Sequence, residues 1–258
     1  MAAAELAAWL DSYGVVLRDS LRVAASQGYR LARANTASGE LDPRAFTDSA
    51  RRHLRKYSRD IGLQLDGLSL HYAGAGLADA ATAAERLARL KGTLELCAAL
   101  DVRHAGVSLG GFDDPRSAGL AREMVGEVAD LADRIGVRTA ILVPAGAWES
   151  AGAHVRRLGC PALRLAVDTA ALPSADALAA AADLLGDVHL RDVRPVGERV
   201  EEVPFGQGVV DFRALLAQVA AGPTDARLIV RHDGAGGVDA LRQGREYMES
   251  MIGRPERR

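Results

Sequence analysis

Short apolar runs alternate with longer segments of helical periodicity along almost the whole chain. An apolar run of roughly four to eight residues is typical of a buried strand, whereas apolar residues that recur about every 3.6 positions indicate an amphipathic helix. The predicted strands are 13–17, 29–34, 63–71, 104–109, 138–143, 162–167, 187–190 and 227–231. The predicted helices are 42–61, 79–100, 115–135, 174–185, 211–221 and 238–252. This alternation indicates an α/β fold with a parallel sheet.

Glycine closes several predicted helices just before the next strand, in the stretches SQGYRL, RDIGLQL and DRIGVRT, as is usual at a helix C-terminus. Eight strand–helix repeats in 258 residues match a (β/α)8 barrel, which typically has about 250 residues. An open doubly wound sheet alternates similarly, but no G-x-G-x-x-G pattern opens a helix after the first predicted strand. We therefore predict a (β/α)8 TIM barrel, a single domain over 1–258 with a leading segment at 1–12 and a tail at 253–258.

The composition argues against several classes of protein. The chain has 32 Lys and Arg against 34 Asp and Glu and only 4% aromatic residues, which disfavours nucleic-acid binding. No apolar stretch reaches the roughly 18 residues of a membrane span. The N-terminal stretch carries Glu5 and Asp11 without a basic region, which argues against a signal peptide, and Cys97 and Cys160 lack metal-ligand spacing. We expect a soluble cytoplasmic protein.

Polar side chains follow the predicted strands at the end where barrel enzymes carry their active sites. The sixth, seventh and eighth strands each end in such residues, and the eighth runs as LIVRHD from apolar to charged within six positions. Parallel strands bring these ends together, so we expect the side chains to converge. The candidate residues are His71, Asp168, His189, Arg191, Asp192, Arg231 and His232.

Each candidate also has a structural interpretation. Asp168 can cap the following helix, a frequent role for an aspartate after a strand. His189 can be a core histidine with a satisfied backbone bond, and His71 can lie on the rim. Asp192 can pair with a neighbouring arginine in its loop. The convergence of several polar groups on one face favours the functional interpretation.

Three stretches in the second half of the chain carry a resemblance to a known family. DVHLRD (187–192) resembles a His-x-Lys-Asp strand end, and EVPFGQGVVDFRALL (202–216) resembles a Val-Pro-x-Gly-x-Gly-x-x-Asp-[FW] loop. LRLAVDTA (163–170) is similar to the strand that precedes them. These motifs resemble those of the xylose isomerase-like TIM-barrel superfamily, in its sugar phosphate isomerase/epimerase branch. The strand–helix rhythm is compatible with that family from about Tyr13 to Met251.

The resemblance implies a divalent metal held by Glu, Asp, His and a second Glu at the ends of strands five to eight. Asp168 matches the Asp, and His189 matches the His. The first Glu falls at Val143 or Pro144 and the second at Arg231, and none of these side chains is a metal ligand. The resemblance therefore implies a degraded metal site in which Asp168 and His189 are the residual ligand positions.

A divalent ion held by one carboxylate and one imidazole would bind weakly, because hard cations take several oxygen ligands. Arg231 would add a fixed positive charge beside the ion and can instead pair bidentately with Asp168. We predict an Arg231–Asp168 ion pair at the metal position, with His189 beside it and no metal cofactor. The disfavoured alternative is a divalent metal such as Mn or Mg, with Glu149 as a rescue ligand.

Two functions remain open. The first is an isomerase, epimerase or lyase that acts without metal on a small hydroxyketone, sugar or keto-acid, with His189, His71 and Asp168 as catalytic residues. Arg231 would bind the anionic part of the substrate. The second is a non-catalytic barrel that binds a small anionic metabolite or a partner protein. A DNA-repair endonuclease of the same superfamily needs a multi-metal ligand set that is mostly missing here.

The partner of either form is expected to be a small anionic or sugar-like molecule, with no nucleic acid and no membrane. Further substrate-binding candidates are Asp192, His232 and Arg191. The oligomeric state stays open, and a dimer is compatible with the sequence.

Overall fold

A computed structural model describes residues 5–37, 39–72, 74–197, 199–222 and 226–252. Eight parallel strands close into a barrel: β1 (Leu6–Trp9), β2 (Leu31–Asn35), β3 (Gln64–Leu70), β4 (His104–Ser108), β5 (Arg138–Leu142), β6 (Leu163–Asp168), β7 (Leu185–Leu190) and β10 (Arg227–Val230). β8 (Asp192–Val196) and β9 (Arg199–Val203) form a separate antiparallel ribbon. The barrel strands are adjacent in chain order, and β10 pairs with β1 to close the circle. The predicted (β/α)8 TIM barrel, as a single domain, is confirmed.

A helical segment follows each barrel strand. The α-helices are α1 (Leu17–Ser26), α2 (Asp48–Asp60), α3 (Ala83–Ala99), α4 (Ala118–Ile135), α5 (Trp148–Leu158), α6 (Phe212–Ala221) and α7 (Gly237–Ile252). A 3-10 helix, Ala175–Leu184, occupies the place between β6 and β7. Gly28, Gly62 and Gly136 have positive φ, as the three predicted helix ends require. Within the described ranges, no helix is long and apolar enough to cross a membrane.

The first barrel strand lies earlier in the chain than predicted. Leu6–Trp9 pairs with β10 and β2, whereas the predicted strand 13–17 contains the connection into α1. Val15 and Val16 are 50% and 56% exposed, so these apolar side chains do not pack into the core as a buried strand would. Ala7 and Ala8 of β1 are buried instead. The predicted leading segment therefore contains β1, and residues 1–4 and the tail 253–258 lie outside the described ranges.

Two helices also differ from prediction. α2 begins at Asp48 rather than 42, because the Asp42 carboxylate and carbonyl hold a turn at Arg44 and Ala45 and the N-cap is Thr47. The predicted helix 174–185 is a kinked 3-10 helix. The Leu178 and Ala180 carbonyls accept hydrogen bonds from side chains of α5, which favours this irregular geometry.

The barrel centre contains a fully buried arginine. Arg33 of β2 donates to both carboxylate oxygens of Asp187 at 3.1 and 3.2 Å and to Asp66 Oδ2 at 3.1 Å. Gly67 lies against the guanidinium, and an added Cβ at this position would collide with it. This ion-pair group lies one layer below His189, because Asp187 precedes that histidine by two residues in β7. It places paired charges, rather than apolar side chains, beneath the carboxyl ends of the strands.

Candidate active site

An aromatic ring and two imidazoles stack together at the barrel mouth, the open end formed by the carboxyl ends of the strands. The ring centroids lie 5.2 Å apart for Trp9 and His71, 5.5 Å for Trp9 and His189, and 5.0 Å for the two histidines. Asn35 fixes the backbone of His71, because its Oδ1 accepts from the His71 N–H at 3.0 Å. The prediction that His71 and His189 converge is therefore met by the geometry.

The imidazoles carry unused hydrogen-bonding capacity. All four ring nitrogens of His71 and His189 are buried, and none has a hydrogen-bond partner among the described residues. Burial lowers the pKa of both histidines well below its usual range, and the Arg231 and Arg33 guanidiniums lower it further. Both rings are therefore neutral at pH 7, and each offers one donor and one acceptor. Unsatisfied buried groups of this kind are uncommon and are expected where a ligand completes them.

These lowered pKa values predict an acid-sensitive fold. Below pH ~6.5 the unfolded chain binds protons at His71 and His189 that the folded chain does not, so stability is fully present above that pH and is lost as the pH falls. The free energy of unfolding should fall by about 1.4 kcal/mol per pH unit for each histidine. Urea unfolding at pH 7.5 and 5.5 tests this, because the double variant His71→Gln/His189→Gln should lose less stability on acidification. Equal pH slopes in the two proteins would contradict it.

A chain of ion pairs lies across the mouth above these rings. Arg191 donates from Nε to Asp168 Oδ1 at 3.1 Å and from Nη1 to Asp233 Oδ2 at 2.9 Å. Arg231 donates to both oxygens of Asp233, at 2.7 and 2.8 Å, and its guanidinium lies 5.1 Å from the Trp9 ring centroid. The predicted Arg231–Asp168 pair is wrong, because Arg191 occupies the Asp168 carboxylate while Arg231 stacks on Trp9. Asp168 also caps the next turn through the Ala170 N–H.

The β8–β9 ribbon contributes to this surface through Glu202. Its Oε2 accepts from the Asp233 backbone N–H at 2.8 Å, and its Oε1 lies 3.3 Å from His232 Nδ1. His232 Nε2 donates to the Ala235 carbonyl at 3.1 Å. Both nitrogens of His232 thus face groups of the protein. The residue anchors the loop after β10, and its role in binding substrate stays a prediction.

Asp192 has a structural role that its sequence position did not reveal. It is buried, and its carboxylate accepts hydrogen bonds from the backbone N–H groups of Val193, Gly206, Gly208 and Val210 at 2.8 to 3.3 Å. These bonds hold the PFGQG loop against the base of the ribbon. That Asp192 also binds substrate stays a prediction.

The residues at the family's metal positions do not gather a ligand set. Val143 is buried, and Glu149 lies exposed in the first turn of α5. Among the described residues, no group of three His, Cys, Asp or Glu side chains is arranged to hold a metal. Asp168, the carboxylate nearest to His189 in the barrel register, already pairs with Arg191.

Three residues of the site were missed by sequence reasoning. Trp9 was missed because β1 was assigned too late, although the run ELAAWL before Asp11 is itself a strand-like signal. Asp233 was visible at the end of LIVRHD but was not chosen. Glu202 lies in a ribbon whose exposed, charged sequence carries no signal of its position.

The chain belongs to the xylose isomerase-like TIM barrel family, whose model matches residues 21–251. The predicted family is thus confirmed. A search of curated proteins found no match.

Solved structures share this fold over nearly the whole chain. A xylose isomerase-like TIM barrel protein from Mycobacterium smegmatis, in complex with magnesium, is 16% identical with a TM-score of 0.81, covering 96% of each chain. D-psicose 3-epimerase, solved in the presence of D-fructose, is 18% identical with a TM-score of 0.73, covering 97% of this chain and 100% of that one. A probable 3-DHS dehydratase from Bacillus anthracis is 14% identical with a TM-score of 0.71, covering 97% and 99%.

Proposed function

We propose that this protein is an isomerase or epimerase that moves a proton next to the carbonyl of a small hydroxyketone, sugar or keto-acid, without a divalent metal. The observation that carries the proposal is the pair of neutral, buried imidazoles, His71 and His189, with no hydrogen-bond partner among the described residues. The epimerase among the structural neighbours supports the substrate class. The cytoplasmic location expected from the sequence stays a prediction.

The two imidazoles can divide the chemistry between them. The unprotonated nitrogen of one ring accepts the proton from the carbon beside the carbonyl, and the C–H electron pair becomes the C=C bond of an enediolate. The N–H of the other ring donates a hydrogen bond to the carbonyl oxygen, a role that suits an imidazole kept neutral by a lowered pKa. The nearby guanidinium of Arg231 stabilises the charge that develops on that oxygen. Return of the proton from the first ring to the former carbonyl carbon, while the hydroxyl proton passes to the other enediolate oxygen through the second ring, isomerises the substrate. Protonation of the first carbon on its opposite face by the N–H of the second ring epimerises it, and proton exchange with solvent then restores both rings.

The side chains at the family's metal-ligand positions support a mechanism without metal. One carboxylate, Asp168, and one imidazole, His189, occupy family ligand positions, and that carboxylate is engaged by Arg191. Arg231, whose guanidinium lies near His189, would repel a cation placed there. Hard divalent ions require several oxygen ligands, so these residues do not fit a resident metal. No step of the proposed chemistry depends on one.

Hydrogen–deuterium exchange of substrate C–H groups in D2O, followed by NMR, tests the proposal without knowledge of the substrate. A panel of ketoses, ketose phosphates and 2-keto acids is incubated with the protein in the presence of a chelator. We expect chelator-insensitive exchange with at least one compound, slowed about 10²–10⁴-fold by His189→Gln. His53→Gln, an exposed histidine of α2, serves as the matched control. Exchange that requires added Mn or Mg would overturn the metal-independent mechanism.

A second candidate function rests on the ion pairs across the mouth. Because Asp168, Arg191, Asp233 and Arg231 pair with one another, none of these four side chains is free to act as an acid or a base. This favours a non-catalytic barrel that binds a small anionic metabolite or a partner protein. Thermal stabilisation by a compound of the panel, with no deuterium exchange into it, would support this candidate over the enzyme.

A further inference from the structure

The two arginines of the mouth, Arg191 and Arg231, converge on a single carboxylate. Asp233 Oδ1 accepts from Arg231 Nε, and Asp233 Oδ2 accepts from Arg231 Nη2 and Arg191 Nη1, at 2.7, 2.8 and 2.9 Å. Planar guanidiniums that donate to both oxygens are the arrangement that proteins use to bind carboxylates. We name the pair Arg191 and Arg231 the carboxylate clamp.

Both arginines are held in place by contacts that do not involve Asp233. Arg231 lies over the Trp9 ring, and Arg191 is fixed by its Nε and Nη2 contacts to Asp168. The Thr169 hydroxyl further accepts from the Arg191 backbone N–H at 2.8 Å. The carboxylate clamp would therefore keep its geometry if the Asp233 side chain turned away.

Asp233 is the member of the network that can leave it most easily. Its side chain is 39% exposed, against 16% for Arg231 and 20% for Arg191. An exposed carboxylate can turn into water at little cost in solvation, whereas the arginines lie deeper. Its backbone stays anchored by the bond to Glu202, so only the side chain needs to move.

We propose that Asp233 occupies a substrate site, and that the carboxylate group of the true substrate binds the clamp by displacing the Asp233 side chain. This rests on the proposed function and narrows its substrate class to hydroxy- or keto-acids, whose carbonyl would then lie beside the imidazoles under Arg231. Asp233 sets the specificity of the site, because only a ligand that outcompetes a built-in carboxylate gains access to it. Neutral sugars have no group that can do so.

Calorimetric titration with glycolate, inorganic phosphate and neutral D-fructose tests the clamp without any turnover. Removing a competitor that occupies a site nine-tenths of the time raises apparent affinity about tenfold. We therefore expect Asp233→Asn and Asp233→Ala to bind glycolate at least about tenfold more tightly than the unaltered protein. Adding Arg231→Gln should remove this gain. Asp239→Asn, an exposed carboxylate of α7, should leave glycolate binding unchanged.

Each outcome of the titration decides the inference. Unchanged glycolate affinity in both Asp233 variants would overturn it, as would an equal gain for D-fructose. A gain confined to phosphate would also overturn the assignment to a carboxylate. Because binding is measured without chemistry, a failure of deuterium exchange leaves the clamp intact, and a failure of the clamp leaves deuterium exchange as an independent result.

Discussion

Arg33→Met is expected to lower the free energy of unfolding by about 3–5 kcal/mol, the usual cost of removing one partner from a buried ion pair. The substitution leaves the carboxylates of Asp66 and Asp187 in the barrel interior without their shared cation. Burial already raises the pKa of Asp187, and Arg33 opposes that rise. Urea denaturation followed by circular dichroism measures the loss.

Two further variants make the Arg33 result interpretable. Arg52→Met removes the same kind of side chain from the exposed face of α2 and should change stability by no more than about 0.5 kcal/mol. Adding Asp66→Asn and Asp187→Asn to Arg33→Met should recover part of the loss, since neutral amides cost less to bury than carboxylates. A change below about 1 kcal/mol in Arg33→Met would contradict a stabilising role for this group.

Asp192→Ala is expected to destabilise the protein by at least about 2 kcal/mol and to loosen the loop that its carboxylate holds. The substitution leaves the partly buried backbone N–H groups of Gly206, Gly208 and Val210 without their shared acceptor. A fully buried donor left unsatisfied costs about 1–3 kcal/mol, so the three together should still cost about 2 kcal/mol or more. Part of that cost is relieved if water enters the loop. Hydrogen exchange at these amides, together with thermal unfolding, measures both effects.

The control for Asp192 is Asp130→Ala, which removes an exposed carboxylate from α4. It should leave both the unfolding temperature and the amide protection unchanged, because no backbone group depends on it among the described residues. If Asp192→Ala exchanged its loop amides at the rate of the unaltered protein, the carboxylate would not be what holds the PFGQG loop.

The fold could be predicted from the sequence because the barrel repeats one pattern, a buried strand followed by an amphipathic helix, many times. Buried parallel strands such as 138–142 and 163–168 are rich in apolar residues and stand out between amphipathic helices. β1 was misplaced because it is only four residues long and includes two alanines, whereas the nearby YGVVL looks more like a strand. The β8–β9 ribbon was missed because its outer residues face solvent and show no alternation.

The candidate site was only partly accessible. That His71 and His189 meet follows from their positions at strand ends, which the barrel topology fixes. The barrel topology does not determine which arginine pairs with Asp168. Arg191 and Arg231 both reach the mouth, and the sequence does not show in which direction a long side chain points. In the structure Arg231 stacks on Trp9, and Arg191 pairs with Asp168. Trp9 belongs to β1, a strand that the sequence pattern did not predict.

The closure of the barrel between β1 and β10 has a consequence for how the site comes into being. Trp9 lies at the end of the first barrel strand and Arg231 follows the last, so the seam between these two strands runs directly beneath the carboxylate clamp. During synthesis β1 can pair with β2 early, but β10, its partner on the other side, emerges only after all the other barrel strands. Closing the barrel and bringing Arg231 onto the Trp9 ring are thus one event, and neither occurs before β10 is made.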